Sequence, residues 1–292
     1  MGVFLLNLEQ LLIFNILQLY KAIIMKVKDK VIVVTGGGNG IGRELVLSLL
    51  RRGSRVAALD ISREALEQTK DLVCEEQRER LSLHTVNIGE KNTVDNLPEQ
   101  IIEIHGGVDA IINNAGIVQP FVKVNDLDLA AIERLCHVNF FGALYMIKAF
   151  LPHLLKRPAA HIVNVASMGG FIPIPGQSIY GATKAAIKLL TEGLNSELAG
   201  TNVDVSIVFP GAIRTNIMSN SGLEMPKADA EQEKKFNPMD PGKAADIIID
   251  GMEKKEERIF VGKDSRMLNL LYRLSPGFAS HLVAKKMKSL LP

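Results

Sequence analysis

Cysteine is nearly absent. Only Cys74 and Cys136 occur, both in helix-like stretches and neither in C-x-x-C spacing, so a disulfide framework is excluded and the two read as small core side chains in a reducing, cytoplasmic compartment. The histidines His84, His105, His137, His153, His161 and His281 form no H-E-x-x-H or comparable ligand pattern, so no metal is expected. Charge of one sign is lacking too. The balance of 34 basic against 32 acidic residues leaves +2, which speaks against a nucleic-acid partner. No internal repeat or low-complexity linker divides the chain, and 292 residues, 47% of them hydrophobic, fit one globular domain with a single large core.

The first 25 residues stand apart. Phe4, Leu5, Leu6, Leu11, Leu12, Ile13, Phe14, Ile16 and Leu17 make an apolar stretch broken by Asn7, Glu9, Gln10, Asn15 and Gln18, with no basic start and no small-residue cleavage site, so it does not read as a secretion signal. At ~100° per residue Asn7, Gln10, Asn15, Gln18 and Lys21 share an arc of about 140°, Glu9 excepted, which suggests a helix lying on a surface. That surface is either a membrane or the protein itself. A third reading makes Met25 the true start, directly before the first strand. The expected organisation is an amphipathic extension over 1–25, a catalytic domain over 26–265 and a basic amphipathic tail over 266–292.

From Val31 onward β-branched runs alternate with longer amphipathic stretches, the pattern of a doubly wound α/β fold: a parallel sheet with helices on both faces. Seven strands are predicted: Val31 to Thr35, Arg55 to Asp60, Leu81 to Asn87, Val108 to Asn113, Ala160 to Ala166, Val203 to Phe209 and Arg258 to Val261. Helices are predicted over Ile41 to Arg52, Ser62 to Glu79 and Ile179 to Leu198, and a loop or lid over Thr215 to Pro241.

Immediately after the first strand, Gly36, Gly37, Gly38, Asn39, Gly40, Ile41 and Gly42 form a glycine-rich turn leading into a helix. Such a turn lets backbone N–H groups approach a pyrophosphate at the positive end of the helix. The spacing departs from G-x-G-x-x-G, so its position carries the argument. Asp60, at the end of the second strand, suits the hydroxyls of an adenosine ribose and would repel a 2′-phosphate; it could also cap the following helix.

The glycine turn, the run Asn113-Asn114-Ala115-Gly116, Ser167, the pair Tyr180-x-x-x-Lys184 and Pro210-Gly211 together resemble the short-chain dehydrogenase/reductase family, over roughly Val27 to Gly262. The resemblance implies a Rossmann-type oxidoreductase that moves hydride between a nicotinamide ring and an alcohol or ketone. Tyr180 is then the acid/base. Lys184 lowers its pKa and binds the nicotinamide ribose, Ser167 contacts the substrate oxygen, and Asn139 holds a water linking Lys184 to solvent; a buried Asn satisfying backbone groups at a helix irregularity is the plainer reading, and the two are compatible. The cofactor-binding set it implies is Gly36, Gly38, Asn39, Gly40, Ile41, Gly42, Asp60, Asn87, Ile88, Asn114, Ala115, Gly116, Tyr180, Lys184, Pro210, Gly211, Ile213 and Thr215. Asn87 departs from the family's usual Asp, which implies a weaker contact to adenine. NAD is favoured over NADP by Asp60 and by Ile61 after it, with Arg43 and Arg63 as possible counterweights.

Ser167, Met168 and Tyr180 are the expected substrate contacts. Ile117, Val118, Phe121, Met168, Phe171, Ile174 and Pro175 are apolar and suit a hydrophobic, lipid-like alcohol or ketone, although core packing explains them nearly as well. A small-diol or acetoin-type dehydrogenase is the alternative within the class. A nucleotide-binding regulator without activity and an extended-branch epimerase are the alternatives outside it. The family commonly forms homodimers or homotetramers through the helices corresponding to Phe140 to Lys156 and Ile179 to Leu198. Finally, Arg266 to Leu274 and His281 to Leu291 read as two short basic amphipathic helices split by Ser275-Pro276-Gly277. They are expected to touch a membrane peripherally or to cap the substrate pocket or a subunit interface.

Overall fold

Residues two apart along each strand point to the same side of the sheet, and the strands here are apolar on both sides. In the computed structural model, which describes residues 26–223 and 238–287, this gives a seven-stranded sheet: β1 (Val31–Thr35), β2 (Arg55–Asp60), β3 (Leu81–Thr85), β4 (Ala110–Asn113), β5 (Ala160–Val165), β6 (Val203–Pro210) and β7 (Arg258–Val261). The order is β3-β2-β1-β4-β5-β6-β7, every pair parallel. The expectations for residues 1–25 and 288–292, and for the middle of the segment between Thr215 and Pro241, lie outside the described residues.

Among the described residues, the helices of eight or more residues are α1 (Gly40–Arg51), α2 (Arg63–Asp71), α3 (Leu97–His105), α4 (Leu129–Cys136), α5 (Ala143–Leu154), α6 (Ser178–Glu197), α7 (Pro241–Glu253), α8 (Lys263–Leu274) and α9 (Pro276–Lys286). Ile32 and Val34 face a core shared with Leu45 and Leu49 of α1 and Ile248 and Met252 of α7. Val31 and Val33 face a second core with Ile101 of α3 and Met146 and Phe150 of α5. Each fully buried aliphatic side chain contributes about 1.5–3 kcal/mol, so both faces of the sheet are strongly determined.

Three sequence expectations need correction. The strand predicted to reach Asn87 stops at Thr85, because the Asn87 side chain accepts from Gly89 N at 3.2 Å and closes a local turn. The helix predicted over Ser62 to Glu79 is broken after Asp71, with a separate turn at Glu75–Arg78. Cys74 is the extended residue that starts that turn and is exposed, not a core side chain; Cys136 is half-buried.

At the C-terminus the predicted break occurs as a single non-helical residue, Ser275, followed by Pro276 at the first position of α9, where a missing N–H costs nothing. α8 runs unbroken across residue 265. Ser265 is fully buried and donates its hydroxyl to Phe209 O at 2.8 Å, which ties the start of α8 to β6. The inner faces of α8 and α9 meet Met168, Phe171, Ile172 and Ile174 through Leu268, Leu271, Tyr272, Ala279 and Val283.

Candidate active site

The strand order reverses between β1 and β4, which opens a crevice at the carboxyl ends of the strands. The glycine turn follows β1 there. A Cβ on Gly42 would collide with the Gly36 carbonyl, so only glycine lets the turn fold onto the first residues of α1. Asn39 precedes α1 with no side-chain cap, and the first turn holds no acidic residue. The N–H groups at this helix end are therefore left for an anion.

Asp60 Oδ2 accepts from Gly38 N at 2.9 Å and Oδ1 from Ser62 N at 3.0 Å. The cap of α2 is Ser62, whose hydroxyl accepts from Ala65 N, so the reading of Asp60 as that cap is replaced. Both nearby arginines are engaged. Arg43 donates from Nε to Gly38 O at 2.9 Å and reaches Thr69 Oγ1 and Gln68 Oε1, while Arg63 pairs with Glu67.

Past β4, Asn114 N and Ala115 N both donate to the Thr35 hydroxyl at 3.0 Å, and Asn114 Nδ2 donates to Thr35 O at 3.0 Å. A Cβ on Gly116 would lie 3.0 Å from Lys184 Nζ and 3.2 Å from Asn139 Oδ1, so this glycine lets three segments converge. Asn139 sits in a π-helical stretch, His137–Gly142. Its amide donates to Ile117 O at 2.9 Å and Thr183 Oγ1 at 3.1 Å, and its oxygen accepts from Ile117 N at 2.8 Å. Both amide hydrogens are therefore taken, and the side chain satisfies the backbone groups of Ile117 from within a helix irregularity.

Ser167 follows β5, and its Oγ accepts from Gly169 N at 3.1 Å. Tyr180 and Lys184 lie one turn apart on α6, and the Tyr180 ring and the Ser167 hydroxyl both lie against Gly169. Lys184 is buried, donates from Nζ to Val165 O at 3.0 Å and lies 5.9 Å from the Tyr180 ring centroid. Part of the Tyr180 residue remains accessible to solvent, yet burial pushes its phenol above the ordinary value, with Ser167 opposing the shift. Burial lowers Lys184 to about 8. In this arrangement burial acts on both groups and disfavours the charged form of each.

Asn87 Nδ2 donates to Glu90 Oε1 at 2.7 Å, so its amide is turned onto its own loop, and Ile88 is buried. Pro210 ends β6, Gly211 N donates to Val261 O at 2.8 Å, and Ile213 bridges Met239. Thr215 comes against Gly40, where a Cβ on the glycine would meet its methyl at 3.3 Å. An open cavity of about 360 Å³ is walled by Gly169, Phe171, Ile172, Ile174, Gln177 and Tyr272, and Ser167, Tyr180 and Lys184 are not part of its wall. A second depression lies between Thr191 and Arg258 and likewise holds none of the three.

Two residues escaped the sequence reading. Buried Gln119 accepts Tyr180 N at 2.9 Å and donates to Gly176 O at 2.9 Å, and buried Gln177 donates to Gln119 O at 2.8 Å. The pair clasps the start of α6 to the loop after β4. Gln119→Leu is expected to lower kcat about 10- to 100-fold through misplacement of the phenol while leaving cofactor affinity nearly intact. Steady-state kinetics with a fluorescence titration of cofactor checks this, and an unchanged kcat would show the clasp to be dispensable.

The profile of the short chain dehydrogenase family matches residues 30–225. The chain is a short-chain dehydrogenase. This dehydrogenase is therefore an oxidoreductase, and it is 32% identical over 275 residues to a Mycobacterium tuberculosis protein named "Putative oxidoreductase SadH", covering 91% of this chain and 98% of that one. Among solved structures, a short chain dehydrogenase from Burkholderia cenocepacia in complex with NADP superposes with a TM-score of 0.74 at 25% identity, covering 89% of this chain and 99% of that one. A short chain dehydrogenase/reductase from Burkholderia phymatum in complex with NAD shares the fold with a TM-score of 0.74 at 23% identity, covering 86% and 96%. In this dehydrogenase α7, α8 and α9 lie beyond the residues matched by the family profile.

Proposed function

We propose that the dehydrogenase interconverts a hydrophobic secondary alcohol and its ketone with NAD(H). The observation that carries the reading is the convergence of Ser167, Tyr180 and buried Lys184 at the sheet edge beside the uncapped start of α1. The residues present fit a dinucleotide. The α1 N-terminus and its glycine turn suit a pyrophosphate, Asp60 suits ribose hydroxyls, and Lys184 with Gly116 and Ala115 suits the second ribose. When bound, such a cofactor supplies or accepts the hydride.

The chain's own residues handle the proton. In reduction, the Tyr180 O–H donates to the developing alkoxide oxygen, which Ser167 steadies by a hydrogen bond. Burial keeps Tyr180 protonated at neutral pH, the form this direction requires. Lys184, held by Val165 O, fixes the geometry below the ring. Apolar Met168, Phe171 and Ile174 beside Ser167 support a hydrophobic substrate. Exposed Phe141, at the π-helical lead into α5, and exposed Leu189 on α6 support a homodimer or homotetramer through the faces that the family resemblance assigns.

NAD(H) is favoured because Asp60 lies across the turn and the two arginines that could receive a 2′-phosphate are already engaged. Catalytic efficiency with NAD(H) is expected to exceed that with NADP(H) by about tenfold or more, an advantage of at least ~1.4 kcal/mol, and Asp60→Ala to erase most of the gap. A panel of alcohols and ketones of rising chain length, assayed with both cofactors, tests both parts. A preference for NADP(H), or for short diols, would overturn the corresponding half of the reading.

A further inference from the structure

Large apolar side chains face solvent on the outer side of the C-terminal helix pair. Met267, Leu270 and Leu274 of α8 are 64%, 59% and 75% exposed, and Phe278 of α9 is 60% exposed. At 3.6 residues per turn the three α8 residues share an arc of about 120° with Lys263, Arg266 and Arg273. On α9, exposed Lys285 and Lys286 extend the same chemistry. The acidic side is missing. Asp264 is turned inward to accept from Ala212 N at 2.8 Å, and from Ser265 to the C-terminus the sequence contains no Asp or Glu. None of these basic residues makes an ion pair among the described residues.

The opposite faces of the same helices pack on Met168, Phe171, Ile172 and Ile174, and Tyr272 walls the cavity that Gly169 and Gly170, in the turn after Ser167, also line. The patch therefore roofs the end of the molecule that holds the reacting groups. A soluble monomer has little reason to place four large apolar side chains within a cationic field. A second copy seated on the same face would bring basic residues against basic residues. An anionic lipid surface satisfies both components at once: acyl chains take the apolar side chains and headgroups take the lysines and arginines.

We propose that the outer face of α8 and α9 docks the dehydrogenase on an anionic bilayer, with Met267, Leu270, Leu274 and Phe278 entering the acyl boundary. The cavity wall then lies directly above the membrane, which, on the reading of a hydrophobic substrate, lets the alcohol or ketone arrive from the lipid phase.

The test is flotation of the full-length chain with vesicles of phosphatidylcholine plus phosphatidylglycerol, and with pure phosphatidylcholine, at low and high salt. The wild type is expected to float with the anionic vesicles at low salt and to be released by salt. Leu270→Glu/Leu274→Glu should weaken this at least about tenfold, with activity on a water-soluble ketone and oligomer size by size-exclusion chromatography unchanged. Absence of flotation by the wild type overturns the proposal. So does equal flotation of the double variant, which would move the contact elsewhere, to residues 1–25 for instance. A changed oligomer size in the double variant without any vesicle binding would assign the patch to a contact between copies and also overturns it. Vesicle binding is read without turnover, so a failed substrate panel would leave this result standing and a failed flotation would leave the catalytic reading standing.

Discussion

Tyr180→Phe is expected to lower kcat by about a thousandfold or more while cofactor affinity stays within a few-fold. The substitution removes one oxygen and keeps the ring's packing, so the loss falls on proton transfer. General acid catalysis by a positioned side chain is worth ~10² to 10⁴ in rate. The lower part of that range applies to groups that a water can replace. Burial around the Tyr180 phenol shifts its pKa upward, with Ser167 opposing the shift, so water is a poor substitute. Turnover on the best substrate, with cofactor binding measured separately by fluorescence, checks both halves. Near-normal kcat would remove Tyr180 from the chemistry and assign the proton transfer to another group.

Lys184→Met should separate activity from stability. Activity falls by about 10²-fold or more, because the group placed beneath the phenol is gone. Stability at pH 7 rises. In the folded protein Lys184 sits at about 8 against an ordinary 10.5, so below pH 8 the fold carries the full cost of a buried ammonium. At ~1.4 kcal/mol per pH unit that cost is roughly 3 kcal/mol. The methionine also loses the bond to Val165 O, so a net gain of about 1–2 kcal/mol is expected. The sign of the pH dependence follows. Between about 8 and 10.5 the unfolded chain holds a proton that the folded chain has released, so the wild type gains stability as pH rises and the advantage of the variant shrinks to nothing. Urea melts at pH 7 and pH 10 read this directly; a variant less stable than wild type at pH 7 would show that the lysine is a net structural support.

Much of this site was legible because its signals are local. A glycine turn after a β-branched run, an aspartate at the end of the next strand and a tyrosine four residues before a lysine on one helix face need no knowledge of the rest of the chain. The supports were hidden because they are tertiary. Gln119 meets Tyr180 across 61 residues, and Thr35 meets Asn114 across 79; nothing in the flanking sequence marks a glutamine or a threonine for those partners. Strand ends were blurred for a related reason: Asn87 could have continued β3, and a side-chain bond to Gly89 stopped it. At the C-terminus, Leu268, Leu271 and Leu274 recur at helical spacing, which by itself fits one apolar face. The structure divides it, with Leu268 and Leu271 inward and Leu274 outward, because Met267 and Leu270 join the outer side and give the helix two apolar surfaces.

The parts that hold and move the proton are anchored from β1, β4, β5 and α6, whereas α8 and α9 meet the Ser167 loop mainly through Met168, Phe171, Ile172 and Ile174. Inheritance can act on these two halves separately. On the proposed function, changes along the inner faces of this cap would trade one guest molecule for another without touching the groups that move the proton. Grafting α8 and α9 from a relative with different tastes, together with those four contact residues, would therefore be the economical route to a redirected catalyst.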